Sequence, residues 1–143
     1  MGNRLANIEW FRLSTLKLAS KPKKVFLLDG CGALLSAVLL AISSAWLPAL
    51  FGVPSHVLAL LAWFPVSFAT YDFTCYLLQP AKAASFIRGI AIANLLYCLI
   101  SLSIAVAHHQ TVTTAGWLYF STEVLIIVIL VRAELVVASL IAK

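Results

Sequence analysis

The chain is dominated by four long apolar runs, which are separated by short segments rich in proline, glycine and polar residues. A helix that crosses the roughly 30 Å hydrocarbon core of a bilayer needs about 20 apolar residues, and each run is close to that length. The pattern therefore predicts spans at about 25–47, 56–78, 86–107 and 114–131, with the last helix extending to about 142. Because the connections are short, the predicted fold is an all-α, four-transmembrane-helix antiparallel bundle.

Composition supports a membrane protein and excludes an ordinary soluble domain. The 143 residues are 63% hydrophobic and 10% charged, with a mean hydropathy of +1.04, whereas a soluble domain carries about 25% charged residues. A soluble domain of this length has too little interior to hide so much apolar surface. We interpret residues 1–24 as a basic leader at the cytoplasmic face or the interface, and residues 25–143 as the transmembrane domain.

The distribution of basic residues predicts the orientation. All ten lysines and arginines lie before the first run, around the second connection or after the fourth run. The positive-inside rule then places both termini in the cytoplasm, in a multi-pass protein of a bacterial inner membrane. The net charge of +5 predicts contact with anionic lipids at that face. A nucleic acid is not expected as a partner, because no nucleic-acid motif accompanies the charge.

The apolar runs also contain acidic residues, beginning with Asp29 in VFLLDGCGALLSAVLLAI. Ionisable groups at such depth are costly and usually face the bundle interior, where they form pairs or line a wet cavity. We therefore expect a cluster in the cytoplasmic half that binds an ion or a ligand. Its members are Asp29, Asp72, Asn94, Tyr97, Tyr119 and Glu123.

Two of these expectations are specific. Glu123, the deepest carboxyl, should point into the bundle and act as a neutral or proton-exchanging acid, because burial disfavours the charged form. Arg88 should form an ion pair with Asp72 or with Asp29, since a guanidinium has few other partners at that depth. Glu134 is placed at the cytoplasmic surface, beyond the hydrocarbon. The alternative for the whole cluster is a structural polar clasp that only holds the helices together.

Other chemistry is weakly supported. His56, His108 and His109 all lie at the predicted outer boundary, and they are weak candidates for a metal site. Cys31, Cys75 and Cys98 are widely spaced within spans and are interpreted as buried structural thiols. The sequence contains no nucleophile elbow, phosphate-binding loop or dinucleotide fingerprint. Neither an enzyme activity nor a cofactor is therefore expected.

The motifs LLDGCGALLSA, FGVP, ANLLYC and YFSTE resemble small four-span bacterial integral membrane proteins of unassigned function. The resemblance covers roughly residues 25–134 and implies a four-span fold, without catalytic residues to carry over. Size and helix count are also similar to those of the small multidrug-resistance transporters. Those proteins place their essential glutamate in the first span, whereas Glu123 lies in the fourth.

Two function classes follow from this pattern. The first is a small transporter or channel that handles a proton, a cation or a small solute through the carboxylate cluster. The second is a non-catalytic membrane subunit or scaffold that packs against itself, as a homo-oligomer, or against a membrane partner. Small-residue pairs such as Gly32 with Ser36 suit packing inside one bundle as well as dimerisation, so they leave this choice open.

Overall fold

The computed structural model describes residues 13–142, and four long helices account for most of them. The helices are α1 (Lys23–Trp46), α2 (Ser55–Leu78), α3 (Ala83–Ala107) and α4 (Thr114–Ile141). All four are long and apolar enough to cross a membrane, which confirms the prediction of four apolar helices. The first three begin and end within three residues of their predicted spans, and the fourth begins at its predicted residue and ends at Ile141, close to the end of its predicted extension. Half of the predicted leader, residues 1–12, lies outside the described residues, and residues 13–19 are helical.

Prolines and left-handed residues mark the helix ends. Pro48 begins a single helical turn, Pro48–Phe51, and Gly52 ends it with a positive φ of 69°. Gln79 ends α2 in the same left-handed region (φ 46°) and is followed by a proline, which cannot continue a helix. Thr113 caps α4, since its hydroxyl accepts a hydrogen bond from the backbone N–H of Gly116 at 3.0 Å.

The helices pack as two hairpins, α1 along α2 and α3 along α4. The first hairpin is the more tightly paired, and Gly30 shows why. A Cβ atom on Gly30 would lie 3.1 Å from the Cβ of Asp72, so the missing side chain lets α2 approach α1 at the level of that aspartate. Backbone contacts between the two hairpins are much sparser, and side chains therefore form most of the interface between them.

The two hairpins are fastened together where residues 47–54 meet residues 108–113, a region that we call the loop junction. The backbone N–H of Thr113 donates to the carbonyl of Phe51 at 3.2 Å, and its hydroxyl donates to the carbonyl of Leu50. Gly52 lies directly against the backbone of Thr111 and leaves no space for a Cβ atom. The loop junction is thus held by two backbone contacts and by one hydrogen bond from the Thr113 side chain.

The opposite end of the bundle carries the lysines of the helix starts, Lys23, Lys24 and Lys82, and we call it the basic end.

An apolar cluster of buried side chains lies at each end of the bundle. The junction-side cluster contains Leu40, Phe51, Leu58, Leu61 and Phe120 among its buried members. The basic-end cluster consists of Val25, Phe26, Cys75, Ile87, Val137 and Ala138. The polar side chains of the bundle lie between these two clusters.

Charged side chains are segregated within residues 13–142. All four acidic residues of this range are buried, with exposed fractions of 3% for Asp29, 0% for Asp72, 6% for Glu123 and 0% for Glu134. The basic residues of the same range are all exposed: Lys17, Lys21, Lys23, Lys24, Lys82, Arg88 and Arg132. The interior of the bundle therefore holds carboxyl groups without holding any of these cations.

The prediction that Glu134 lies at a surface is wrong. Glu134 follows Glu123 by eleven residues, which is close to three helical turns, so both side chains lie on the same face of α4. That face stays packed to the end of the helix, because Val137 and Ala138 belong to the basic-end cluster. Extra helix length beyond the predicted span therefore adds buried surface.

Candidate functional site

A cavity of about 70 Å³ lies between the two hairpins and is lined by residues of all four helices. Its polar lining consists of Asp29 and Ser36 from α1, Asn94 and Tyr97 from α3, and Glu123 from α4; Pro65 of α2 completes the wall. A water molecule needs about 10–15 Å³ measured in this way, whereas drug-sized ligands occupy about 300–1,000 Å³. The cavity therefore suits a few water molecules or one small ion.

Glu123 is held by two tyrosines. The hydroxyl of Tyr97 donates to Oε1 at 3.2 Å and lies 3.4 Å from Oε2, while the hydroxyl of Tyr119 donates to Oε1 at 3.0 Å. Tyr119 precedes Glu123 by four residues and shares its helix face, whereas Tyr97 reaches across from α3. Glu123 thus points into the bundle, as predicted, and its partner on α3 is Tyr97.

Aromatic packing fixes both tyrosines. The ring of Tyr119 stacks on Phe51 with centroids 4.7 Å apart, and the ring of Tyr97 contacts Phe64 at 5.9 Å and Phe68 at 6.1 Å. These contacts restrain the rings and aim both hydroxyls at one carboxyl group. The end of the site nearer to the loop junction is therefore restrained by aromatic packing, and it is continuous with the junction-side cluster.

Asp29 is held by one amide. Nδ2 of Asn94 donates to Oδ1 and to Oδ2 of Asp29, at 3.1 Å in each case. This bond joins α1 to α3 and therefore connects the two hairpins across the cavity. Ser36 of α1 adds a second polar contact between the hairpins, because its side chain is also within hydrogen-bonding reach of Glu123 and Tyr119 on α4.

Asp72 and Glu134 differ from the other two acids. Both oxygens of each carboxyl group are buried, and no donor group within residues 13–142 bonds any of the four. The Asp72 carboxyl lies within hydrogen-bonding reach of the Asp29 carboxyl and within electrostatic range of Glu134, and a bond between the two aspartates requires a proton on one of them. Burial of a polar group without a partner costs several kcal/mol, and burial of a charge costs more.

The four acids form a column along the bundle axis. Asp29 and Asp72 are each six residues from the basic end of their helix, and Glu134 is seven residues from it. Glu123 lies eleven residues before Glu134 on α4, or about 16 Å farther along the axis at 1.5 Å per residue. We call Asp29, Asp72, Glu123 and Glu134 the carboxylate column.

The predicted cluster is brought together in two parts. Asp29 and Asn94 are bonded to each other, and Tyr97 and Tyr119 are bonded to Glu123; of these, Tyr119 does not line the cavity. Asp72 does not line the cavity either; it lies beside Asp29, on the side nearer to the basic end. The predicted residues are therefore close in space, although they make two separate hydrogen-bonded groups.

The predicted ion pair of Arg88 with Asp72 or with Asp29 does not form among the described residues, where Asp29 is bonded to Asn94 instead. Arg88 is exposed, and no donor group there bonds the Asp72 oxygens. Arg88 follows the buried Ile87 by one residue, so it points about 100° away from the packed face of α3. It lies only five residues from the helix start at Ala83, which lets its long side chain reach outward to water or head groups.

Glu134 was missed as a site residue, although its eleven-residue spacing from Glu123 on one face of α4 was a usable signal.

The histidines do not form a site. The ring Nδ1 atoms of His108 and His109 contact carbonyls of their own helix end, and His56 is exposed. Within the described part of the chain, no group of three or more histidine, cysteine or acidic residues is arranged to hold a metal ion.

The cysteines also depart in part from the interpretation as buried thiols. Cys75 and Cys98 are buried between helices, whereas Cys31 is exposed on the apolar surface of α1. None of the three contributes to the cavity wall.

Comparison of the chain with protein-family models, with curated proteins and with solved structures found no match, and the resemblance drawn from the sequence motifs stays a prediction.

Proposed function

We propose that this protein is a small proton transporter of a bacterial cytoplasmic membrane, and that Glu123 and Asp29 exchange protons with the cavity between the hairpins. The supporting observation is the segregation of charge: every acidic residue within 13–142 is buried, and every basic residue there is exposed. Intramembrane carboxyl groups are costly and commonly mark proton pathways. Here they follow one axis over about 16 Å of helix.

The donors around the cavity favour a proton over a bare cation as the transported species. Asn94 donates to Asp29, and Tyr97 donates to Glu123, so N–H and O–H groups already face the carboxyl oxygens. A dehydrated cation needs several oxygen lone pairs directed at it. A carboxylate oxygen, by contrast, has a further lone pair that can take up a proton while these donors stay in place.

The second candidate function is a membrane subunit or scaffold, and one observation favours it. The carboxyl groups of Asp29 and Glu123 both accept hydrogen bonds from neighbouring side chains, as expected for a clasp that fixes two hairpins. In that case Glu123→Gln keeps the fold and changes no flux, because an amide preserves the hydrogen-bonding capacity of the acid.

Proton flux tests the proposal. Purified protein in liposomes that contain a pH-sensitive dye is expected to carry protons when a membrane potential is imposed with potassium and valinomycin. Glu123→Gln should reduce the flux at least about tenfold, because the amide cannot exchange the proton that the acid carries. Ser103→Ala is the control, since Ser103 is exposed on α3 and bonds only its own helix. Absence of flux from the wild type, or equal flux from the glutamine variant, would reject proton transport.

The proposed orientation places the basic end in the cytoplasm, following the positive-inside rule. It predicts that a cysteine at Gln110, in the loop junction, reacts with an impermeant thiol reagent added outside intact cells. A cysteine at Ala81, in the connection between α2 and α3, should react only after the cells are opened. Both positions are exposed, and both variants are made in a chain whose three native cysteines are replaced by alanine. The reverse labelling pattern would contradict the orientation.

A further inference from the structure

We propose that Asp72 and Glu134 form a second proton-binding site, separate from the cavity and nearer to the basic end. Both side chains have an exposed fraction of 0%. No donor group among residues 13–142 bonds their four carboxyl oxygens, and the nearest group to Asp72 within hydrogen-bonding reach is another carboxyl, that of Asp29. Neither Asp72 nor Glu134 lines the cavity. The inference concerns proton binding, and it stands whether or not the protein transports protons.

No basic side chain of the described range is near enough to neutralise the charge of Asp72 and Glu134, so we expect a proton to do so. Asp29 approaches from α1, and Tyr71 and Cys75 flank Asp72 on its own helix. The Tyr71 hydroxyl donates to the carbonyl of Phe86 at 3.1 Å. On α3, the amide of Asn94 is bonded to Asp29. No lysine or arginine of the described range is buried beside the pair.

Electrostatics then disfavours two charges in this place. An unpaired ion in a protein interior costs several kcal/mol, and a like charge nearby adds to that cost. Protonation removes the problem: a hydronium ion gives its proton to a carboxylate oxygen, which leaves one water molecule and one neutral carboxyl group. A protonated Asp72 or Glu134 also gains an O–H donor that can bond the neighbouring acid.

Asp29 connects the two sites. It lines the cavity and also lies beside Asp72, whereas Glu123 is about 16 Å from Glu134 along α4. Asp72 and Glu134 therefore form the part of the carboxylate column nearer to the basic end. Glu123 and its cavity form the part nearer to the loop junction. A change at Glu123 is therefore expected to leave the proton occupancy of Asp72 and Glu134 largely intact, whereas a change at Asp29 should alter it.

Infrared spectroscopy of the protein in lipid tests this inference. The wild type should show the carbonyl absorption of neutral carboxyl groups at neutral pH, and Asp72→Asn and Glu134→Gln should each remove part of it. Both amides match the size of a neutral acid, so both variants are expected to fold. Glu123→Gln is the matched control, and the signal that the other two variants remove should persist in it. An unchanged carboxyl signal in Asp72→Asn and Glu134→Gln would overturn the proposal.

Isotope labelling separates the signals of the aspartates from those of the glutamates. Asp29 and Asp72 are the only aspartates of the chain, so aspartate labelled with ¹³C at the side-chain carboxyl shifts only their bands. A neutral carboxyl band that moves on labelling is expected at neutral pH. If Asp72→Asn leaves that moving band at full strength and Glu134→Gln leaves the unshifted carboxyl band unchanged, neither member of the pair carries a proton and the second site is excluded. Loss of proton flux in liposomes would not affect this result, so the two proposals fail separately.

Discussion

Asn94→Leu is expected to lower the free energy of unfolding by about 3 kcal/mol, because it leaves Asp29 buried without its hydrogen-bond donor. Asn94 is itself buried, and its Nδ2 atom serves both oxygens of Asp29. The substitution nearly preserves volume, so the loss reports the bond more than a cavity. Reversible unfolding in mixed micelles, followed by tryptophan fluorescence, measures the difference.

A double substitution separates this bond from general damage. Removing both partners of a buried polar contact costs far less than removing one, so Asp29→Leu added to Asn94→Leu should restore most of the lost stability. Ser103→Leu, on the exposed face of the same helix, should change stability by less than about 0.5 kcal/mol. A double variant that is less stable than Asn94→Leu alone would show that the bond does not fasten the hairpins.

Gly52→Ala is expected to lower the free energy of unfolding by at least about 2 kcal/mol. An L-residue in the left-handed region loses about 1–2 kcal/mol, and Gly52 has a φ of 69°. The added methyl group would also collide with the carbonyl of Thr111, which belongs to the backbone and cannot rotate away. Thermal unfolding in detergent should show a large fall in the midpoint.

Gly32→Ala provides the matched control for that experiment. No atom lies within 4 Å of the position that a Cβ atom on Gly32 would occupy, and the residue is inside α1. Alanine is favoured over glycine in a helix by up to about 1 kcal/mol, so stability should be unchanged or slightly raised. Equal losses in both variants would mean that the close backbone contact at the loop junction is unimportant.

Helix positions were predictable because lipid-facing surfaces leave a strong signal. Twenty or so apolar residues between short polar connections define a span almost independently of tertiary structure, so each observed helix falls close to its predicted bounds. The face of α3 that carries Asn94, Tyr97 and Ser101 was also visible in the sequence. Those residues recur with helical spacing, and all three are buried.

The pairing of polar groups was less predictable, because it depends on rotation about each helix axis. Arg88 and Ile87 are adjacent in sequence, and only packing decides that Ile87 faces inward while Arg88 faces outward. Glu134 was misplaced for a related reason. Its position was inferred from membrane thickness, whereas the packed end of α4 keeps it inside the bundle.

The tight first hairpin has a consequence for biogenesis. Among the four helices, α2 has the lowest mean hydropathy over its most apolar window, 1.3 compared with 2.3 for α1 and α3 and 2.7 for α4. It also carries a buried aspartate, Asp72, which makes entry of an isolated helix into lipid less favourable. Packing against α1 covers Asp72 at Gly30, and α1 precedes α2 during synthesis. We therefore expect α2 to need α1 for stable insertion into a bilayer, because the contact with α1 keeps the Asp72 carboxyl away from lipid.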